Sequence, residues 1–229
     1  MLPEVTIITS SINLKWIDQL RYYMENLVKT PYNWFVVDNM TDPIEHFSVA
    51  NNFAAEDITT PYILFLNDDI RPLCDFLAPM LETIKEKPNI GLVGAKLYFP
   101  DGRIQHAGIG FKRGADGRGM VGHMGYEDKD RPLYGTKNYC PVTFACALTK
   151  TDLFREVGGL SEVYKSGFED VDYNFKLLSR QWECIYEPRA RLIHYQWGSR
   201  RLINDRDNWE LCSGRWGREI EMFTRMGEQ

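Results

Sequence analysis

Residues 62–69 of this chain read Tyr62-Ile63-Leu64-Phe65-Leu66-Asn67-Asp68-Asp69, an apolar run of strand length that ends on two adjacent carboxylates. A continuous apolar run indicates a strand buried on both faces, which is typical of an inner strand in a mostly parallel sheet. Ligands of open α/β sheets bind outside the carboxyl ends of the strands. Two acids there suit Mg²⁺ or Mn²⁺ bound to a diphosphate, because these hard cations prefer oxygen ligands. The alternative is a plain turn, which Asn and Asp also favour.

Bulk composition predicts one globular domain. The 229 residues are enough to cover both faces of a sheet, and 44% are hydrophobic and 26% charged, as in ordinary soluble proteins. The net charge of −5 argues against nucleic acid as the main partner. Five cysteines without a C-x-x-C pair predict reduced thiols and a cytoplasmic location.

The N-terminal sequence and the hydropathy predict neither a signal peptide nor a membrane-spanning segment. A strand begins close to the N-terminus without a basic and apolar leader before it, so we expect no signal peptide. No apolar run approaches the ~20 residues that a membrane span needs. These observations are compatible with peripheral contact with a membrane.

Strand and helix patterns alternate along the first third of the chain. The predicted strands are 4–9, 34–37 and 62–66, and the predicted helices are 14–28 and about 44–57. Polar residues follow each strand, as in a nucleotide-binding half sheet. Neither a G-x-G-x-x-G motif nor a Walker lysine motif is present, so a metal ion is the expected means of phosphate binding.

The rest of the chain continues the alternation with one long gap. The predicted elements are a helix at 75–87, a hairpin of 91–99 with 104–111, a strand at 139–148, a helix at 152–157, a helix from near residue 169, strands at 182–186 and 190–195, and a C-terminal helix. Thr151 is the predicted N-cap of the helix at 152–157, and Gly158-Gly159 its end. Residues 112–138 show no periodicity; we expect a lid or acceptor-contacting segment, with a mobile insertion as the alternative.

A second acidic cluster follows at Glu169, Asp170 and Asp172. An apolar stripe, whose members are Phe168, Val171, Phe175 and Leu178, fixes one face of this helix to the core. At about 100° per residue, Asp170 points away from the stripe and is free to face a cleft, while Asp172 flanks the stripe and is better suited to brace its neighbours. The alternative is that these acids only offset the helix dipole.

His194 is the third candidate group, because it ends a predicted strand and precedes the segment 195–201, Tyr-Gln-Trp-Gly-Ser-Arg-Arg, which could wrap phosphates. A satisfied polar histidine is the alternative. His46 falls in a predicted helix, His106 in the hairpin and His123 in the long loop, and these three carry less weight.

In this order and at these distances, the motifs resemble those of the family 2 glycosyltransferases of the GT-A fold, with relatives of the rhamnosyltransferase and O-antigen type, over about residues 4–200. The matching segments are VTIIT at 5–9, VVDNMTD at 36–42, NNFA at 51–54, FLNDD at 65–69, GLVGAKL at 91–97, DGRIQHAG at 101–108, VTFACAL at 142–148, FREVGGL at 154–160, FEDVD at 168–172, and His194. The resemblance implies a single α/β GT-A domain with a mixed, mostly parallel sheet. Its nucleotide-sugar half would span about 1–100, its acceptor half about 101–203, and residues 204–229 would form a tail.

The resemblance also implies residue roles at the nucleotide. Asp38 would read the base, which suits UDP- or TDP-sugars, with Thr9 and Ser10 near the base and ribose. Asn52 would lie near the nucleotide, and Asp68 would point toward the ribose or a metal-bound water.

At the reacting centre the resemblance implies Mn²⁺ or Mg²⁺ on Asp69, with His194 completing the metal or diphosphate site. Asp170 would be the catalytic base, supported by Glu169 and Asp172. Many relatives carry Asp-x-Asp after this strand, and Asn67 replaces the first acid here. The metal site would therefore depend more on Asp69 and His194.

The expected function is therefore inverting sugar transfer from a nucleoside-diphosphate sugar to a hydroxyl of a glycan, lipid-linked or protein acceptor. One rival is a sugar-nucleotidyltransferase, although such enzymes usually carry a Gly-rich basic loop after the first strand, and residues 9–12, Thr-Ser-Ser-Ile, are not one. The other rival is a non-catalytic sugar- or nucleotide-binding module of the same fold.

Overall fold

Apolar strands and amphipathic helices alternate as the sequence predicts. This computed structural model describes residues 2–11, 13–38, 47–124, 138–165, 167–196 and 205–227. Its strands are β1 (Val5–Ser11), β2 (Asn33–Asp38), β3 (Tyr62–Leu66), β4 (Ile70–Pro72), β5 (Ile90–Tyr98), β6 (Ile104–His106), β7 (Ile109–Arg113), β8 (Gly119–His123), β9 (Asn138–Tyr139), β10 (Cys146–Lys150) and β11 (Glu183–His194). Its helices are α1 (Leu14–Leu27), α2 (Phe47–Ala55), α3 (Leu77–Glu86), α4 (Thr151–Glu156), α5 (Glu169–Leu178) and α6 (Asp205–Gly227).

The central sheet is mixed and mostly parallel, which confirms the predicted fold class. Its strand order is β2-β1-β3-β10-β5-β11-β4, with β6 beside β5 and β9 beside β11. β1 runs parallel to β2 and β3, and β5 runs parallel to β11. β10 lies antiparallel between β3 and β5, so these two strands point the same way. The carboxyl ends of β1, β2, β3, β5 and β11 therefore lie at one edge of the sheet.

The predicted inner strand is confirmed, since β3 lies between β1 and β10 and four of its five residues are buried. α1 and α3 cover one face of the sheet through Met24 and Met80, and α2 and α4 cover the other through Ala54 and Phe154. Each large apolar side chain buried in this way stabilises the fold by about 1.5–3 kcal/mol. These two layers fix the strand ends that carry the candidate site.

A third apolar cluster attaches α6 and the β7–β8 hairpin to the outer side of α5. Ile109, Phe175 and Ile220, from β7, α5 and α6, are buried together there. The predicted C-terminal helix is thus confirmed, and it packs on the helix that carries the second acidic cluster. Among the helices of the described ranges, none has the length and hydropathy needed to cross a bilayer.

Two predictions around residues 104–138 were wrong. The predicted strand 104–111 divides at Gly108, whose φ is +103° and where a Cβ atom would lie 2.3 Å from the Cys140 sulfur. β6 therefore stays with β5, and β7 pairs with β8 in a separate hairpin. Residues 112–124, expected to be irregular, form most of that hairpin around a turn at Gly117, with φ +79°. Residues 125–137 of the expected lid lie outside the described residues.

Three boundaries also differ from the sequence prediction. The strand expected at 139–148 is interrupted between β9 and β10, because the side chain of Asn174 takes the hydrogen bonds of the Val142 backbone N–H and C=O. The strands expected at 182–186 and 190–195 are one strand, β11, whose pairing with β5 is irregular between Glu187 and Arg191. Thr151 is not an N-cap, since its hydroxyl donates to the Thr60 carbonyl.

Candidate active site

Three parallel strands, β2, β1 and β3, end side by side, and each end carries polar side chains. In the sheet register Ser11 lies opposite Asp38, and the Ser11 hydroxyl donates a 2.6 Å hydrogen bond to Asp68 Oδ2. The same hydroxyl oxygen accepts from the backbone N–H of Asn13, which caps α1. The turn from β1 into α1 therefore fixes the position of the first carboxylate after β3.

The two carboxylates after β3, Asp68 and Asp69, are partly withdrawn from solvent and repel each other. Burial raises the pKa of Asp68, the hydrogen bond from Ser11 lowers it, and the negative charge of Asp69 raises it again, leaving a pKa above the usual range. Asp69 itself is buried. A cation bound beside the pair would relieve this repulsion, because an opposite charge favours ionised carboxylates.

Asp69 and His194 meet although they are distant in the chain. β11 ends at His194, which lies opposite Ile70, so the histidine reaches the residue just before β4. His194 Nε2 lies 3.2 Å from Asp69 Oδ1, and the backbone N–H of Tyr195 donates to the Asp69 carbonyl. The two residues expected from the sequence to hold a metal are thus adjacent.

The donor set around this contact suits Mn²⁺ or Mg²⁺. Carboxylate oxygen is the ligand that these ions prefer, and imidazole is a common additional ligand of transition metals. The buried Oδ1 of Asn67, two residues before Asp69, has no hydrogen-bond partner among the described residues. The Asn67 amide nitrogen lies 3.5 Å from His194 Nε2. Within the described ranges no cluster of three or more Asp, Glu, His or Cys side chains forms a complete cage.

Two of the other residues expected near the nucleotide, Thr9 and Asn52, form hydrogen bonds within the protein. The buried hydroxyl of Thr9 accepts from the Trp34 indole N–H, while Ser10 is only half-buried. The Asn52 amide exchanges hydrogen bonds with both backbone groups of Leu160 and so ties α2 to the loop after α4. Asp38 is exposed at the end of β2. The nucleotide roles of these residues stay predictions.

The second acidic cluster lies at the same edge of the sheet. α5 runs back to the start of β11, which pairs with the start of β5 at Ile90, so the N-terminus of α5 lies at the carboxyl ends of these strands. Asn174 holds it there, bonding both to the Val142 backbone and to the Asp170 carbonyl. Phe168, just before α5, has a strained φ of +72°. Strain of this kind clusters at functional sites.

Asp170 differs from its neighbours in exposure. Eight of the ten residues of α5 are buried, and only Asp170 and Leu178 are half-buried. One carboxylate oxygen of Asp170 accepts the 2.8 Å hydrogen bond of the Val171 N–H. Asp170 is thus the acid of this cluster that solvent or a substrate can reach.

Hydrogen bonds and residues adjacent in sequence connect the two acidic clusters. His106 follows Gln105, which contacts His194, and His106 Nε2 accepts from the Thr143 N–H at 3.4 Å. The adjacent Val142 is held by Asn174 of α5. Burial, and after it the rings of His123 and His194, holds the pKa of His106 well below the usual range, so this ring is neutral.

Asp172 joins the acidic cluster to α6 through contacts in the protein interior. Its fully buried carboxylate accepts a 2.8 Å hydrogen bond from Trp216 Nε1 and forms an ion pair with Arg215 Nη1 at 2.9 Å, both on α6. It also lies 3.2 Å from Lys176 Nζ. Glu169 is also buried and accepts from the Gly167 N–H. Neither acid is open to solvent, which fits a supporting role.

Replacing Asp172 with Asn should lower the free energy of unfolding by about 2 kcal/mol, measured by urea denaturation at pH 7. Breaking a buried ion pair usually costs 3–5 kcal/mol, but Arg215 is half-exposed and can regain water after the change. The Asn oxygen can still accept from Trp216. Asp152→Asn is the matched control, because that carboxylate is fully exposed, and it should leave the midpoint unchanged. Equal midpoints for both variants would contradict the bracing role.

No protein-family model matches this chain. Two curated proteins are similar in sequence. The uncharacterized protein y4gI of Sinorhizobium fredii (strain NBRC 101917 / NGR234) is 34% identical over 161 residues, covering 68% of this chain and 17% of its own length. The O-antigen biosynthesis protein RfbC of Myxococcus xanthus is 30% identical over 173 residues, covering 72% and 13%. The chain thus spans less than a fifth of either relative.

Solved structures match over most of this chain. GalNAc-T7 with UDP, GalNAc and Mn²⁺ superposes with a TM-score of 0.61 at 9% identity, covering 85% of this chain and 44% of the other. The mannosyltransferase PcManGT of Pyrobaculum calidifontis with GDP-Man and Mn²⁺ gives 0.59 at 15% identity, covering 88% and 59%. The chain has a GT-A glycosyltransferase fold. This likeness confirms the architecture implied by the sequence resemblance.

Within the GT-A fold, two residues that contact the candidate site were not anticipated. Ser11 bonds to Asp68, and Gln105 bonds to His194. Ser11 follows the predicted Ser10 and shares a strand face with Thr9, so strand alternation was the signal available for it. The sequence carries no comparable signal for Gln105, whose contact joins positions 89 residues apart.

Proposed function

We propose that this chain transfers a sugar from a nucleoside-diphosphate sugar to an acceptor hydroxyl, with a divalent metal and inversion at the anomeric carbon. The proposal is supported above all by the 3.2 Å contact of Asp69 with His194 at the same sheet edge as the half-buried Asp170. Mn²⁺ accompanies UDP in one structural neighbour and GDP-Man in another.

In the proposed reaction Asp170 accepts the proton of the acceptor hydroxyl as that oxygen forms its bond to the anomeric carbon. The bond from this carbon to the diphosphate oxygen breaks on the opposite face, and the electron pair leaves with the nucleoside diphosphate. Asp69 and His194 would hold the metal, which supplies Lewis-acid stabilisation of the leaving diphosphate. Glu169 and Asp172 keep the start of α5 in place.

The donor half would extend over about residues 1–100, the acceptor half over about 101–203, and α6 would be the tail of one domain. Asp38 would read a uracil or thymine base, with Thr9 and Ser10 near the base and ribose and Asn52 near the nucleotide. Acceptors would be glycans, lipid-linked saccharides or proteins, and the name of the relative RfbC favours polysaccharide synthesis. No disulfide joins the five cysteines, all of which lie in the described ranges, and this supports a cytoplasmic location.

The test is a thermal-stability screen of UDP-, TDP- and GDP-sugars with Mn²⁺, followed by product analysis of the best ligand. A specific donor should raise the melting temperature, because a ligand that binds only the native state stabilises it. Release of nucleoside diphosphate supports transfer, and release of pyrophosphate would instead establish the nucleotidyltransferase rival. Stabilisation by a donor without any turnover, across glycan and lipid-linked acceptors, would favour the non-catalytic module.

A further inference from the structure

Gln105 links β6 to the end of β11 through both ends of its side-chain amide. The residue is buried, with 2% of its surface exposed. Its Nε2 donates to the backbone carbonyl of His194 at 3.1 Å, and its Oε1 lies 2.7 Å from His194 Nδ1. One glutamine thus contacts both the main chain and the ring of the histidine that faces Asp69.

The orientation of this amide follows from the partner atoms. A backbone carbonyl can only accept a hydrogen bond, so the nitrogen of the Gln105 amide must face it. The amide oxygen then faces the ring, and because this oxygen also only accepts, His194 Nδ1 must carry a hydrogen. A neutral ring with its hydrogen on Nδ1 has its lone pair on Nε2.

That lone pair is directed at the proposed metal position. Nε2 lies 3.2 Å from Asp69 Oδ1, so a neutral ring presents an imidazole nitrogen and a carboxylate oxygen side by side. Metal-binding histidines generally donate their other ring N–H to an acceptor that fixes the tautomer and the ring orientation. Gln105 occupies the position of that acceptor.

We infer that Gln105 is a positioning residue that sets the His194 tautomer for metal binding at Nε2, an inference that rests on the proposed function. The competing explanation is that Gln105 only tethers β6 to β11 through the His194 carbonyl. The two explanations differ for Gln105→Glu. A carboxylate still accepts from Nδ1–H, but it cannot donate to the carbonyl, so this variant keeps the tautomer and loses the tether.

The first measurement is the long-range ¹H–¹⁵N spectrum of the histidine rings, recorded at mildly alkaline pH without metal or nucleotide. The chain has four histidines, and His194→Gln assigns the signal in question. In the wild type we expect a hydrogen on Nδ1 of His194. Gln105→Glu should retain it, and Gln105→Leu should lose this preference. A wild-type His194 with its hydrogen on Nε2 and none on Nδ1 would overturn the inference.

The second measurement is Mn²⁺ affinity, read from the electron paramagnetic resonance signal of free Mn²⁺. Gln105→Leu should bind Mn²⁺ about 10–100-fold more weakly, the usual effect of losing such a partner, and Gln105→Glu within about threefold of the wild type. Gln19→Leu is the control, since Gln19 is exposed on α1. Wild-type affinity in Gln105→Leu, or equal losses in both Gln105 variants, would overturn the inference. The ring spectrum needs no substrate, so a failure of sugar transfer in the wild type is distinguishable from a failure here.

Discussion

Asp170→Asn should lower the rate of sugar transfer about 10²–10⁴-fold, the usual contribution of a general base. The change removes basicity with little effect on structure, because the Asn oxygen can still accept the Val171 N–H bond that the carboxylate accepts. The helix start is held independently by Asn174 and by the bonds of Asp172 to α6. The rate is measured as nucleoside-diphosphate release from the donor selected by the stability screen, with its acceptor.

Binding measurements separate a lost base from a damaged site. Asp170→Asn should bind UDP with Mn²⁺ as the wild type does, because Asp170 belongs to the acceptor side of the proposed site. Asp152→Asn makes the same substitution in α4, at the opposite edge of the sheet, and should transfer sugar at the wild-type rate. Wild-type turnover in Asp170→Asn would exclude the base assignment.

The sequence predicted the fold well where local patterns decide it. The run from Tyr62 to Leu66 is apolar without interruption because β3 is covered on both faces, and the acids after it mark the strand end. The periodicity of α1 and α5 likewise reflects faces that are buried in the structure. Prediction failed where a distant side chain replaces a strand partner, as Asn174 does at Val142, since the sequence near Val142 contains no sign of it.

The candidate site shows the same division. Asp69 follows a strand, His194 ends one and Asp170 lies in the first turn of a helix, so the local hydropathy pattern locates all three. The strands and the helix run in opposite directions, and this brings the three residues to one edge of the sheet. Gln105 carries none, since it lies in a three-residue strand and its function depends on a partner 89 positions away. Helical spacing predicted that Asp170 is more accessible than Asp172, but it gave no indication of the partners of Asp172 on α6.

Asp69→Asn should weaken Mn²⁺-dependent UDP binding by several kcal/mol, or roughly 10³-fold, because it removes the anionic ligand of the proposed metal site, where His194 is the other proposed protein ligand. The fold should persist, since the Asn amide can donate to His194 Nε2 across the same 3.2 Å gap. Affinity is measured by calorimetry with UDP and Mn²⁺, and again with EDTA. Metal removal should bring the wild type down to the affinity of the variant.

Asp68→Asn is the sharpest control for this result. It removes an equal charge one residue away, so a general loss of negative potential would weaken binding equally in both variants. Asp68 bonds to Ser11 and its proposed role is at the ribose or a metal-bound water, so its loss should cost about tenfold or less, in the range of indirect metal contacts. If Asp69→Asn weakened UDP binding by the same factor in Mn²⁺ and in EDTA, Asp69 would act on the nucleotide or the fold and not through a metal.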